Sequence, residues 1–377
     1  MVMSELIQLR KKTDDVSSRH QELTQKFSTW GDKLLQHTDV LSMIQNHGEF
    51  RPITVQLSPT EACDSDCDFC SVAARPIRSK MPWETIRKTL MQFAALGAKS
   101  VEITGGGNPM LYKDSGKTIN DIIRLASAVG LQVGIITNSE SLKRLDPNVY
   151  DMISWIRISL IKLDEGCNPE DYDFCGFPYE KLGFSYILYG PSAATPIKKK
   201  AVPGTTIETI EKISKLVDLH GGKIKFVRFA GNCLVKGNNA LAKKSFQEII
   251  DENDHYKKFF IKDIDSDDDA YDHGCYVGAI RPYVAADPDG DGSWVYTCTS
   301  HVLNKRTYDR AYALCRPDDI VNKWDEMSKN YRETGYPYDV NGNCGKGWSD
   351  TCKFCYYKFN NRLLHTVAQP MPDKDFA

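Results

Sequence analysis

Six short runs rich in β-branched and aromatic residues recur between residues 53 and 229, and the stretches between them carry helical periodicity. The runs are ITVQLS at 53–58, SVEIT at 100–104, LQVGIIT at 131–137, WIRISL at 155–160, FSYILY at 184–189 and KIKFVRF at 223–229. Such runs are the signature of strands. Between them, Ile86, Leu90 and Phe93 share one helical face before Gly97, and Ile119, Ile122, Ile123 and Leu125 mark a second helix before Gly130. Residues 205–219 form a third, with Thr205 or Thr206 as N-cap and Gly221 and Gly222 beyond its end. Strands that alternate with helices run parallel and are joined by right-handed crossovers, so the expected class is α/β, a partial (βα)6 TIM-like barrel or an open parallel sheet. Either arrangement puts its functional loops at the C-terminal ends of the strands.

The flanks differ from this core. Residues 1–50 are polar, with Leu6, Leu9, Leu23, Phe27, Trp30, Leu34 and Leu35 at roughly helical intervals, and are expected to form an N-terminal helical cap. The barrel is expected over 51–235, a linker with helices over 236–269, and a small C-terminal α+β domain over 270–377 that opens with the hairpin RPYVAADPDGDGSWVYTC. Asp287, Asp289, Asp291 and Gly292 imitate the start of a calcium loop, but the twelfth position is Cys298 where a bidentate Glu is needed, so a tight turn accounts for them. The acidic run DIDSDDDAYD at 263–272 reads as a solvated linker.

With 377 residues and 41% hydrophobic content, the chain can build its core without covalent staples. Its net charge of -2 gives no global electrostatic case for a nucleic-acid or membrane partner. No stretch reaches the roughly 18 apolar residues of a membrane span, and MVMSELIQLRKK lacks the pattern of an export signal, so the expected location is cytoplasmic. Twelve cysteines in a reducing compartment point to metal or redox chemistry rather than to disulfides.

Cys63, Cys67 and Cys70 read C-x3-C-x2-C in TEACDSDCDFC, a spacing that lets one loop set three thiolates around an iron-sulfur cluster and leaves one iron open. Zinc needs four closed ligands, and no fourth His or Cys lies near in sequence. In this loop, with an aromatic, Phe69, before the last cysteine, the sequence resembles the radical S-adenosylmethionine (SAM) superfamily.

TGGGNPML at 104–111 follows the second strand, where that family carries a Gly-Gly-Glu-Pro-like segment at the methionyl amino group. Asn108 stands in place of the usual Glu; its carbonyl oxygen accepts a hydrogen bond but brings no charge. The resemblance thus implies SAM contacts at Phe69, Gly106, Gly107 and Asn108, with Asn138, Ser159 and Arg228 at later strands touching the ribose, carboxylate or adenine. Taken singly, a Gly-rich run makes an ordinary turn, Asn138 a helix cap, Ser159 a satisfied hydroxyl and Arg228 a surface ion pair.

Downstream, Cys275, Cys298, Cys352 and Cys355 form a cysteine, a hairpin, a second cysteine and a late C-x2-C. This arrangement resembles the Twitch or SPASM-like extension, which implies an auxiliary [4Fe-4S] cluster; a structural zinc on the same four thiolates is the alternative. Cys344 is then spare, and Cys167, Cys175, Cys233 and Cys315 have no partner at motif spacing.

For activity, the resemblance implies reductive cleavage of SAM to a 5'-deoxyadenosyl radical, fed by an external low-potential donor of the flavodoxin or ferredoxin type. Hydrogen abstraction from a small or appended polar substrate, ending in oxidation or rearrangement, is the leading expectation. Radical modification of a peptide or of a nucleobase, and a non-catalytic iron-sulfur electron-transfer role, are the alternatives.

Overall fold

The computed structural model describes residues 22–27, 31–67, 70, 72, 76–188, 205–231, 250, 257–262, 274–286, 292–299, 310–338 and 357–369. Its centre is one sheet. Strands β1 (Thr54–Ser58), β2 (Ser100–Ile103), β3 (Gln132–Thr137), β4 (Ile153–Ser159), β5 (Leu182–Leu188), β6 (Phe226–Gly231) and β7 (Phe259–Lys262) pair in chain order, each parallel to the next. Helices α1 (Thr38–His47), α2 (Trp83–Ala95), α3 (Ile119–Ala128) and α4 (Ile207–Leu219) accompany them. The six expected strands are all present within two or three residues of their expected ends, and β7 is an addition that the sequence reading did not pick out. Gly97 and Gly130 follow α2 and α3 in the left-handed region, at φ 86° and 84°, where a side chain would be strained.

On the far side of β1 the sheet continues. β8 (Tyr283–Ala286) pairs parallel to β1, and β9 (Ser293–Tyr296) and β10 (Ala313–Cys315) follow as antiparallel neighbours. The expected hairpin is therefore β8–β9, and it extends the main sheet directly. Helix α5 (Ile320–Thr334) packs back on α2, with Trp324 edge-on to Phe93 at 5.3 Å and its indole N–H donating to the Ala279 carbonyl at 2.8 Å. Helix α6 (Lys358–Ala368) reaches back to the segment before β8: the Asn361 side-chain oxygen accepts from the backbone N–H of Tyr276 and Val277, at 2.8 and 3.0 Å.

The two faces of the sheet differ in chemistry. Val101, Ile103, Val133, Ile135, Ile156 and Ile158 are fully buried in the same core as the apolar stripes of α2 and α3. This burial, at roughly 25 cal/mol per Å², is what holds helices to strands. The alternate positions on the opposite, inner face include Gln56, Glu102, Trp155, Arg157, Ser159, Ser185 and Arg228. Gly134 and Gly183 sit there because a Cβ would lie 2.3 Å from the Trp155 ring and 2.4 Å from the Phe226 ring. Among the described residues no helix is long and apolar enough to cross a membrane.

Candidate functional site

The chain leaves the C-terminal end of β1 directly into the loop of Cys63, Cys67 and Cys70, and three further loops from neighbouring strand ends fasten it there. The first follows β2. A Cβ on Gly107 would lie 2.1 Å from the Ala62 carbonyl oxygen, and one on Gly105 2.7 Å from the Ser58 hydroxyl, so the glycines let this turn lie against the root of the cysteine loop. The Gly106 N–H donates to the Ser58 hydroxyl at 3.2 Å, and the Asn108 N–H to the Ala62 carbonyl at 2.7 Å.

Asn108 is fully buried and its amide is saturated. The NH2 donates to Asp64 at 3.1 Å and to Ser139 at 2.9 Å, and the oxygen accepts from the Met110 N–H at 3.2 Å and the Thr137 hydroxyl at 2.8 Å. Two donors and two acceptors are all that an amide offers. In this arrangement Asn108 is a bracket between the β1, β2 and β3 loops.

The second loop follows β3, where Asn138 donates to the Ser65 hydroxyl at 2.5 Å, to Asp64 at 3.3 Å and to the Cys63 sulfur at 3.7 Å. The third follows β4. Lys162 donates to the Asp64 carbonyl at 2.8 Å and pairs with Glu165 at 3.5 Å, while Glu165 accepts from the Asp66 N–H at 2.7 Å. Burial lowers the Lys162 pKa, but Asp64, Glu165 and Glu140 outweigh it and hold the ammonium above its ordinary value. Asp64, Ser65, Ser139, Lys162 and Glu165 were not anticipated as site residues. The signal that would have found them is position, since all lie in the cysteine loop or within a few residues of a strand's C-terminal end.

Asn138, Ser159 and Arg228 share one level of the sheet. Thr137 pairs with Ile158, which sets Asn138 beside Ser159; Ser159 pairs with Ser185, and Ser185 with Arg228. Ser159 makes no capping bond to the turn it precedes. Arg228 is no surface ion pair: its Nε is buried without a partner among the described residues, and burial pushes its pKa down to about 10 against a raising pull from Glu102.

Among the described residues no three His, Cys, Asp or Glu side chains converge tightly enough for a single metal ion. The Cys67 thiol is pushed up to about 12, first by burial and then by Cys70, Glu165 and Cys63. Cys63, Cys67 and Cys70, half-buried on one loop, offer three thiols, a donor set that suits an iron-sulfur cluster with one iron left open. Phe69 lies outside the described residues.

Cys275 and Cys298 come together in a second small cluster with Val277 and Tyr357. Tyr338 donates to the Cys275 sulfur at 3.0 Å, and Tyr357 shares a 2.8 Å bond with Thr299, next to Cys298. Burial pushes the Cys275 thiol up. Cys352 and Cys355 lie outside the described residues, and Tyr357 is the first described residue after them. None of the described cysteines is in a disulfide.

If Gly107 serves close approach, Gly107→Ala must displace the turn or the cysteine loop. The expected cost is about 1–3 kcal/mol of stability, with accelerated loss of bound iron on dilution into chelator. Unchanged iron retention would show that the close packing of this turn on the cysteine loop is not needed.

Residues 57–160 match the family described as the radical SAM superfamily. No curated protein matches the chain by sequence. Among solved structures, Streptococcus suis SuiB bound to precursor peptide SuiA is similar over 86% of this chain and 76% of its own, at 16% identity and TM-score 0.50. The anSMEcpe structure with bound AdoMet covers 86% of this chain and 97% of its own at 14% identity and TM-score 0.45. BtrN in complex with AdoMet and 2-DOIA covers 79% and 95% at 14% identity and TM-score 0.38. The residues that match this family, 57–160, hold the cysteine loop, the triple-glycine turn, Asn138 and Ser159 that the fold gathers at one end of the sheet.

Proposed function

We propose that this chain is a radical SAM enzyme acting by hydrogen abstraction on a small or appended polar substrate, with oxidation or rearrangement as the outcome. The observation that carries it is the fastening of the Cys63, Cys67 and Cys70 loop by the loops after β2, β3 and β4, inside the matched domain. The three thiolates would hold a [4Fe-4S] cluster with one open iron. When bound, cluster and SAM supply one chemistry: an electron enters the sulfonium, the sulfur–C5' bond breaks, and methionine and a 5'-deoxyadenosyl radical result.

The chain's own residues bind and orient. The half-buried backbone of Gly106 and Gly107 and the side chains of Asn138, Ser159 and Arg228 surround the strand ends where SAM would lie, and Phe69 is proposed beside it. Asn108 fixes these loops at the place proposed for the methionyl group. Holding reactants at one strand-end level is worth several kcal/mol of barrier in general. Cys275, Cys298, Cys352 and Cys355 are proposed to hold an auxiliary [4Fe-4S] cluster, able to take the second electron of an oxidation. An external flavodoxin- or ferredoxin-type donor and a cytoplasmic setting suit this thiol-rich site.

The polar inner face, with Ser159, Ser185 and Arg228 level with the cysteine loop, favours a polar substrate. SuiB was solved with a precursor peptide, and a peptide is the alternative class to test. Anaerobic protein with dithionite and SAM should release 5'-deoxyadenosine, more so with substrate pools. No release above a protein-free control would defeat the proposal.

A further inference from the structure

A cavity of about 460 Å³ opens at the end of the sheet opposite the cysteine loop. Thr54, Ser100, Gln132 and Phe226 from the first turns of β1, β2, β3 and β6 line it, so it lies at the N-terminal strand ends, away from the cysteine loop. The segment carrying Phe27, Leu34 and His37 closes one side. Phe27 stacks on Phe226 at 4.6 Å, which pins that segment to the barrel floor.

The charges in this cavity do not balance. Among the described residues, Lys26, Lys33, Arg157, Lys225 and Arg281 line it against one carboxylate, Glu102. Glu102 is already committed, to Arg281 at 3.0 Å and to the Gln56 amide at 2.8 Å. Arg157 has a buried Nε with no partner among the described residues and lies over the Trp155 ring at 5.9 Å. Lys26 and Lys225 both flank the Phe27 ring, at 5.6 and 5.9 Å. Burial and then Arg281 push the Lys33 pKa down, Glu102 pulls it up, and Lys225 and Arg157 lower it further. Uncompensated like charges gathered in a concave, partly desolvated site raise the local affinity for counter-ions, and guanidinium forks match oxyanions in pairs.

We infer that this cavity binds a small polyoxyanion, a phosphate- or carboxylate-bearing metabolite, which bridges Lys26 and Lys33 of the N-terminal segment to Arg157, Lys225 and Arg281 of the barrel. The volume falls in the range of small-molecule sites. Occupancy locks the cap to the floor of the barrel and does not depend on the chemistry at the cysteine loop.

The test is thermal unfolding of the full-length, cluster-loaded protein under anaerobic conditions at constant ionic strength, titrated with inorganic pyrophosphate and separately with citrate. The midpoint should rise saturably with the ligand, as for any ligand that binds only the folded state. A response to pyrophosphate alone narrows the class to phosphates, and an equal response to both assigns a general oxyanion site. Lys33→Ala and Lys225→Ala should each weaken the apparent affinity about tenfold or more, as expected for loss of a charge-assisted contact. In the absence of ligand both variants should keep or raise the midpoint, because each removes a like charge. Lys329→Ala, exposed on α5, should change nothing. A non-saturable shift, unchanged affinity in both variants, or displacement of the anion by SAM would overturn the inference.

Discussion

Cys63→Ala/Cys67→Ala/Cys70→Ala is expected to lower the iron content of anaerobically purified protein from about eight to about four per chain and to abolish 5'-deoxyadenosine formation. The same variant should lose any change that SAM causes in the EPR signal of the reduced protein. The expected fall in rate exceeds about a thousandfold, since without the cluster the residual chain offers binding but no reductant. Stability should change little by comparison. The three thiols are half-buried in a loop, and the brackets that shape it, Asn108, Asn138 and Lys162, remain.

Each other outcome has a definite meaning. About four irons in the wild type together with zinc would keep the first cluster and replace the auxiliary one by a structural ion on Cys275, Cys298, Cys352 and Cys355. Eight irons in the triple variant would sink the ligand assignment. Iron loss without any SAM response in the wild type would favour an electron-transfer protein.

Legibility from sequence followed the range of the signal. The parallel strands and their helices were readable because β-branched runs and helical stripes are local patterns, repeated here six times. Strand β7 was not, because the four residues FFIK in the linker stretch carry too short a pattern to stand out. The continuity of β8 with β1 was equally invisible: residues 283–286 and 56–58 are far apart in sequence, and nothing local records their pairing.

At the site, residue types with rare spacing were legible and the supports were not. Three cysteines in eight residues announce themselves, whereas Lys162 and Glu165 act only because β4 ends beside β1's loop. Asn108 is marked by its motif and is also one of these supports. A motif position suggested a ligand contact, and the fold gives all four of its hydrogen-bonding positions to Asp64, Ser139, Thr137 and Met110. Arg228 was expected near SAM by strand position. Its register beside Ser159 follows from pairings through Ser185 that no single strand reveals.

The largest loss of stability is expected at Glu102, which no motif marked. Its carboxylate sits on the inner face with 9% of its side chain exposed and takes Arg281 on one oxygen and Gln56 on the other. Tyr357 reaches the Gln56 oxygen at 3.4 Å, tying the C-terminal helix to the same group. Burial alone would raise the Glu102 pKa; Arg281, Arg157 and the Gln56 bond outweigh it and hold it below its ordinary value. Among the described residues, Glu102→Ala removes the carboxylate that acts on Arg281, Arg157 and Arg228. A broken buried pair of this kind costs about 3–5 kcal/mol, mostly from the guanidinium charge left behind. The sign of the pH dependence follows from the lowered pKa. The folded state binds fewer protons than the unfolded one, so the contribution is complete above the unfolded value of about 4.3 and is lost as pH falls through the folded one. Urea unfolding of wild type and Glu102→Ala at pH 7 and at pH 4 or below should therefore show a wide gap that narrows in acid. A gap that is small at pH 7, or that does not close in acid, would mean that the three guanidinium groups are held by something other than this carboxylate.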